Sequence, residues 1–305
     1  MTAALTRVPV APSPAPFSGR ARWRWLPAAL VVVPTAAAVH DYGVSVRDLA
    51  AFAAYLVLCL AVPGTLVWRA AWRRSASLAE DIGPGLGVGY AIEVVAYAGA
   101  RAAGAPLAEL AAPAGVVLAF LAIRPLRRCW RADPHAARPP AGWLWAMALV
   151  AAIVMLLTCV GHLRGLGPHY RFGDGDLPFH LALIGEARYH VPPTVPWVAG
   201  EPLDYHWFAY LHLASASWIT GIDAETLLLR LYYLPLLAVL PLSLGAAARR
   251  LTGRWWPGTA AAAITFFGLA ADPYGWPMTP GYRAAGFGPV DDGSMLRPGV
   301  WISVT

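Results

Sequence analysis

The 305-residue chain contains no lysine and few charged side chains of any kind. Charged residues make up 13% of it and hydrophobic residues 58%, with a mean hydropathy of +0.52. Soluble domains carry about 25% charged residues, so this composition excludes an ordinary soluble protein and indicates a membrane protein.

Cysteine is also scarce, and no internal repeat is present. Cys59, Cys129 and Cys159 lie in or beside hydrophobic segments without a CxxC spacing, which argues against a disulfide framework or a cysteine zinc site. The net charge of +6 comes from arginine alone. Because the arginines cluster in short loops between apolar runs, they indicate membrane orientation and not nucleic-acid binding.

Seven apolar runs predict an all-α bundle of about seven membrane spans. Each is long enough, given some tilt, to cross a hydrocarbon core of about 30 Å, although the first is barely so. The runs lie at about 25–40, 49–68, 83–100, 107–123, 142–161, 226–248 and 256–271. We expect the first helix to remain uncleaved. A disordered basic tail, residues 1–24, precedes it.

The arginine-rich loops determine the predicted orientation. They follow the second, fourth and sixth runs, so the positive-inside rule places the N-terminus in the cytoplasm of a multi-pass cell-membrane protein and loop 162–225 outside. The apolar segment from His206 to Gly221 is not counted as a span. Counting it would place Arg249, Arg250 and Arg254 outside. We therefore expect a juxtamembrane or re-entrant helix there.

The external loop gathers histidines and carboxylates. Six of the eight histidines lie between His162 and His212. Asp174 and Asp176 are two carboxylates one residue apart, a pair that suits a hard cation such as Mg²⁺ or Mn²⁺. The alternative is a solvated turn in which an aspartate caps the next helix at Leu177.

A helix following this pair would carry further candidate substrate-binding residues. Asp176, His180, Glu186 and His190 would fall within about a third of its circumference. The alternative is an amphipathic helix on lipid headgroups, with its polar face solvated.

Downstream residues extend the candidate site. Tyr205, His206 and Trp207 either line a groove for a sugar or an isoprenoid, or form an aromatic anchoring belt. Arg230 lies near the outer end of the sixth span, where a guanidinium grips a lipid phosphate or reaches out to the headgroups. Glu93 lies in the middle of the third run without a partner that the sequence identifies, and its role stays open.

These motifs resemble the integral-membrane glycosyltransferases of the GT-C type. The resemblance covers roughly residues 142–272. The matching motifs are Asp174-Gly-Asp176, Phe179-His180, Pro192-Pro193, Leu203-Asp204-Tyr205-His206, Gly221-Ile-Asp223 and Ala248-Arg249-Arg250-Leu251-Thr252-Gly253. It implies transfer of a sugar from a polyprenyl-phosphate donor to an extracytoplasmic glycan, lipid or protein in the cell envelope. Asp174 and Asp176 would bind a metal or act as base, and Arg230 would hold the donor phosphate.

The chain then divides into the tail, a four-span region 25–141, a GT-C-like module 142–272 and an external segment 273–305. The last segment ends without a closing element, so we expect a fragment of a longer protein. Two other functions stay open. One is a transporter or flippase of lipid-linked glycans, which would need polar groups in the middle of the bilayer. The other is a non-catalytic membrane assembly protein.

Overall fold

The computed structural model describes residues 24–72, 77–131, 138–159, 163 and 176–268. Within these ranges every regular element is a helix, and the one β-bridge joins Thr194 to Pro202. The helices are α1 (Leu26–Asp41), α2 (Val46–Ala71), α3 (Leu78–Ala102), α4 (Pro106–Ala122), α5 (Arg124–Trp130), α6 (Ala141–Thr158), α7 (Leu177–Tyr189), α8 (Phe208–Thr220), α9 (Ala224–Thr252) and α10 (Trp256–Ala263, continued by a π-turn over Ile264–Gly268). The all-α prediction is confirmed for the described residues.

Among the described residues, three helices are long and apolar enough to cross a membrane: α2, α6 and α9. A fourth span results if α4 and α5 are counted as one, although they meet at a bend of 99°. Helix α1 is apolar but has only sixteen residues. The predicted apolar runs all coincide with helices where they are described, and residues 160–162 and 269–271 lie outside that part of the chain.

Side-chain caps and glycines set several helix ends. Ser45 accepts a hydrogen bond from the Asp48 amide at the start of α2, and Asp223 accepts one from the Thr226 amide at the start of α9. Helix α8 ends at Gly221, which has a φ of +74°, a left-handed conformation that glycine adopts without strain. Gly221 and the Asp223 cap thus separate the short helix α8 from the long helix α9.

Helices α2 and α3 pack with their backbones in direct contact through glycines. A Cβ atom on Gly64 of α2 would collide with the backbone at Gly85 and Gly89, and one on Gly89 would collide with the backbone of Leu60. Small residues spaced four apart allow this close approach between helices in a membrane. The contact brings Tyr55 of α2 towards the polar side chains of α3.

Several arginine-bearing helix ends contact one another. Arg24, just before α1, donates to the Pro139 carbonyl just before α6. Arg69 at the end of α2 pairs with Asp81 at the start of α3 at 2.9 Å, and its guanidinium also donates to the Trp130 carbonyl.

Helix α9 joins the same group through Arg250, whose guanidinium lies 4.9 Å from the ring of Trp68 in α2. The start of α9 lies away from this group of helix ends. Arg230, near that start, contacts the turn between α1 and α2 at Tyr42.

Helix α8 lies inside the bundle. It packs against α2, α3, α7 and the start of α4, and its residues Tyr210 to Ser217 are all buried. At about 1.5 Å per residue its thirteen residues cover about 20 Å, too short for a span. Enclosure on every side is a property of a re-entrant or buried helix, not of a helix that rests on headgroups.

Candidate functional site

The predicted acidic pair lies at the start of α7. Asp176 is exposed and precedes the helix without a capping hydrogen bond from its side chain. Asp174 lies outside the described residues, so the pairing of the two carboxylates stays a prediction. Among the residues that the structure describes, no three His, Cys, Asp or Glu side chains come together in a group that could hold a metal ion.

His180 lies one turn into α7 and contacts the buried helix α8. Its Nδ1 is 2.7 Å from the hydroxyl of Tyr210. Burial raises the pKa of the Tyr210 phenol, so that hydroxyl keeps its proton. The tautomer of His180 determines which of the two groups donates the hydrogen bond.

The aromatic residues of the loop gather beside α7. Phe179 packs against Tyr205 and Trp197, with ring centroids 5.4 Å apart in both pairs. Tyr205 in turn stacks on His206 at 4.0 Å. Four of the loop's rings therefore form a continuous surface next to His180.

Trp207 has a separate ring partner. It stacks on Phe208 at 4.8 Å, where helix α8 begins.

Glu186 and His190 are brought together, but they bind each other and the following loop. Glu186 Oε1 lies 2.9 Å from His190 Nδ1 and accepts hydrogen bonds from the amide and the hydroxyl of Thr194. Partial burial raises the pKa of Glu186, but the donors at Thr194 and His190 outweigh it and lower the pKa overall. These contacts hold the end of α7 against the loop.

Arg230 lies in a π-turn over Leu227–Leu231 within α9 and is 6% exposed. Its Nε donates to the backbone carbonyl of Tyr42 at 3.0 Å. No carboxylate of the described residues forms an ion pair with it. Within the described part of the chain its partner is thus a neutral carbonyl, at a buried position where a charge normally requires an opposite charge.

A second polar cluster, whose members lie far apart in the sequence, lies where α2, α3 and α8 meet. Glu93 of α3 accepts hydrogen bonds from the Tyr55 hydroxyl of α2 and from His212 Nδ1 of α8, the latter at 3.0 Å. Ser215, one turn after His212, has its hydroxyl 3.3 Å from that of Tyr55. We call Tyr55, Glu93, His212 and Ser215 the central cluster.

Glu109, in the turn that begins α4, is buried beside this cluster. It is 4% exposed, and neither carboxylate oxygen has a hydrogen-bond partner in good geometry among the described residues. The Ser215 hydroxyl is its polar neighbour. The available sequence signal was the presence of Glu93, Glu109 and His212 in apolar segments, because an ionisable residue within a membrane helix is a candidate functional residue by default.

Helix α8 thus links two polar regions. The first holds His180 and the loop aromatics, beside Tyr210, and the second is the central cluster around His212. Comparison with family models, with curated proteins and with solved structures found no match for this chain.

Proposed function

We propose that this chain is a membrane glycosyltransferase that moves a sugar from a polyprenyl-phosphate donor to an extracytoplasmic acceptor. The environment of the Arg230 guanidinium is the main support for the proposal. A buried guanidinium with a backbone carbonyl as its partner is a costly arrangement. A phosphate monoester or diester would neutralise the charge and accept two parallel N–H···O hydrogen bonds from the guanidinium group.

The proposed topology has seven spans, with the N-terminus in the cytoplasm and the loop around α7 outside. The contacts of Arg24, Arg69 and Arg250 support it, because they join helix ends that the arginine distribution assigns to the cytoplasm. Arg230 contacts the turn after α1 at Tyr42, which this topology places outside. The donor phosphate would then meet Arg230 near the outer surface of the membrane.

The proposed reaction is a direct displacement at the anomeric carbon. A carboxylate of Asp174 or Asp176 takes the proton of the acceptor hydroxyl while the hydroxyl oxygen bonds to that carbon. The bond from the sugar to the phosphate oxygen breaks, and Arg230 stabilises the negative charge left on the polyprenyl phosphate. The aromatic surface of Phe179, Tyr205 and His206 would contact the sugar ring or the isoprenoid.

A divalent cation would lower the charge of the phosphate if it binds at the predicted pair. Asp174 and Asp176 would hold it, and it would stabilise the charge on the leaving phosphate together with Arg230.

The experiment is a sugar-transfer assay on membranes that contain the full chain, with radiolabelled polyprenyl-phosphate sugars as donors. Asp174→Asn and Asp176→Asn should abolish transfer at unchanged expression. Glu201→Gln, at an exposed carboxylate of the same loop, should retain it. Full activity in both aspartate variants would remove the proposed base.

A flippase of lipid-linked glycans is the second candidate, because carboxylates also lie deep in the bundle. Glu93 and Glu109 are buried in helical segments, and α2 is interrupted by a π-turn over Leu56–Ala61 directly after Tyr55. Reconstituted vesicles separate the two functions. Movement of a fluorescent polyprenyl-phosphate sugar between leaflets without transfer to any acceptor would favour the flippase.

A further inference from the structure

We propose that the central cluster, together with Glu109, is a proton-binding site inside the helix bundle. It is separate from the residues assigned to sugar transfer and does not depend on that assignment. Its ligand would be the proton itself, taken up from water. The argument rests on how the buried polar atoms are paired.

The Glu93–His212 pair has an incomplete set of hydrogen bonds. Glu93 Oε2 lies 3.0 Å from His212 Nδ1, and the side chains are 4% and 5% exposed. An ionised Glu93 can only accept, so with it Nδ1 carries a hydrogen and the neutral imidazole has a lone pair on Nε2. That Nε2 is buried and has no hydrogen-bond partner among the described residues.

Glu109, beside Ser215, is a second buried ionisable group with an incomplete set of hydrogen bonds. Both of its oxygens are buried, and neither has a hydrogen-bond partner in good geometry in the described part of the chain. An ionised carboxylate without donors is very unfavourable away from water, and such a group instead takes up a proton.

Among the described residues, the titratable groups that interact with this site from the neighbouring helices bring no positive charge. They are Cys59 of α2 and Tyr90 and Tyr97 of α3, which interact with Glu93 or Glu109. Tyr90 also packs edge-to-face on His212 at 4.7 Å. Arg101 and Arg188 interact with Tyr97.

Two glutamates without a described cation beside them would leave the region with two negative charges. Residues Glu93, Glu109 and His212 are not placed to hold a metal ion, since the described residues contain no such group. The proton is the cation that needs no coordination shell. It is therefore the ligand that the described geometry accommodates.

Proton uptake removes both charges by simple steps. A hydronium ion at the membrane surface gives one proton to His212 Nε2 and becomes water, which converts Glu93 and His212 into a neutral ion pair. A second proton bonds to a Glu109 oxygen, and the resulting O–H faces the Ser215 hydroxyl. No bond between heavy atoms changes in either step.

Infrared spectroscopy of the full chain in lipid nanodiscs tests the proposal. Samples with ¹³C-labelled glutamate are compared at acidic and at neutral pH. We expect a carbonyl band of a protonated carboxyl group that shifts in D₂O. Glu109→Gln should remove this band, whereas Glu201→Gln at an exposed carboxylate should retain it.

Two further variants address His212 and the risk of misfolding. His212→Phe should weaken the imidazolium ring bands that grow on acidification, to which the other seven histidines of the chain also contribute. Tyr55→Phe keeps the aromatic ring and should shift the Glu93 carboxylate band, because it removes one hydrogen bond to that group. This readout remains informative if the Gln variant does not fold.

The contrary results are equally specific. Glutamates that are ionised at every pH would overturn the proposal. So would a protonated band that Glu109→Gln leaves in place, or one that does not respond to D₂O. If His212→Phe leaves the imidazolium bands unchanged, the Glu93–His212 pair does not take up a proton.

Discussion

His212 Nδ1 lies 3.0 Å from Glu93 Oε2, although the two residues are 119 positions apart in the chain. The contact joins the short helix α8 to the long helix α3 in the interior of the bundle. It gives a partner to Glu93, a glutamate in an apolar helix whose role the sequence left open. The packing around this contact also predicts how substitutions change the stability of the protein.

The Tyr55 hydroxyl should stabilise the bundle, because it donates to buried Glu93. We expect Tyr55→Phe to lower the free energy of unfolding by about 1 kcal/mol, the usual size of an interhelical hydrogen bond in a membrane protein. Reversible unfolding in detergent mixtures measures the loss.

Tyr189→Phe is the matched control for this substitution. Tyr189 is exposed, and we expect its variant to unfold like the original chain. Equal stability of Tyr55→Phe and the original chain would show that the buried hydrogen bond contributes nothing.

The contact between α2 and α3 predicts a large difference between two glycines of one helix. A Cβ on Gly89 would collide with the Leu60 backbone, whereas one on Gly87 meets no atom within 4 Å. Gly89→Ala should destabilise the protein by about 1–3 kcal/mol through overpacking. Gly87→Ala should be neutral or slightly stabilising. If thermal unfolding shows the two variants to be alike, the helices do not pack in this way.

Much of the fold follows from the sequence, because hydrophobic length and arginine position are local properties. The apolar runs coincide with α1 to α4, α6, α9 and α10 in the described residues, and the separate helix at 208–220 was expected. The burial of α8 could not be deduced. It depends on Gly64, Gly85 and Gly89 bringing α2 and α3 together and on which helices then surround Tyr210 and His212.

The candidate site residues can likewise be recognised from the sequence, whereas their partners cannot. His180, Tyr205 and Arg230 are recognisable because polar or charged groups stand out beside apolar runs. Their partners, the Tyr210 hydroxyl and the Tyr42 carbonyl, depend on tertiary packing. Glu186 and His190 shared a predicted helix face, but their mutual contact and the bonds to Thr194 required the path of the loop.

The lowered pKa of Glu186 predicts a pH dependence of the contact between α7 and its loop. A carboxyl group whose folded pKa lies below its unfolded value stabilises the fold above the unfolded pKa of about 4.3 and loses this effect as the pH falls through the folded value. Thr194→Val removes a donor and should raise the Glu186 pKa towards its ordinary range. A ¹³C carboxyl titration by NMR measures it.

Thr220→Val is the control for that titration, because the Thr220 hydroxyl bonds to the Ala216 carbonyl within α8. It should leave the Glu186 titration unchanged. An unchanged pKa in Thr194→Val as well would mean that the Thr194 hydrogen bonds do not determine it.

The proposed seven-span topology predicts the location of the segment after α9. A reporter enzyme fused after Arg254 should be active in the cytoplasm, because α8 does not cross the membrane and α9 returns to the inside. A second fusion after Gly200, in the loop after α7, should report the outside. Cytoplasmic activity at Gly200, or external activity at Arg254, would contradict the orientation.

Binding of a phosphate-bearing lipid at Arg230 is the most direct test of the proposed function. The full chain in nanodiscs is titrated with a short polyprenyl phosphate and with the matching uncharged polyprenol. We predict that the phosphate binds at least tenfold more tightly and that Arg230→Met removes this preference, the size expected for a charge-assisted hydrogen bond of about 1.5–3 kcal/mol. Equal affinity for the two lipids, or an undiminished preference in Arg230→Met, would contradict it.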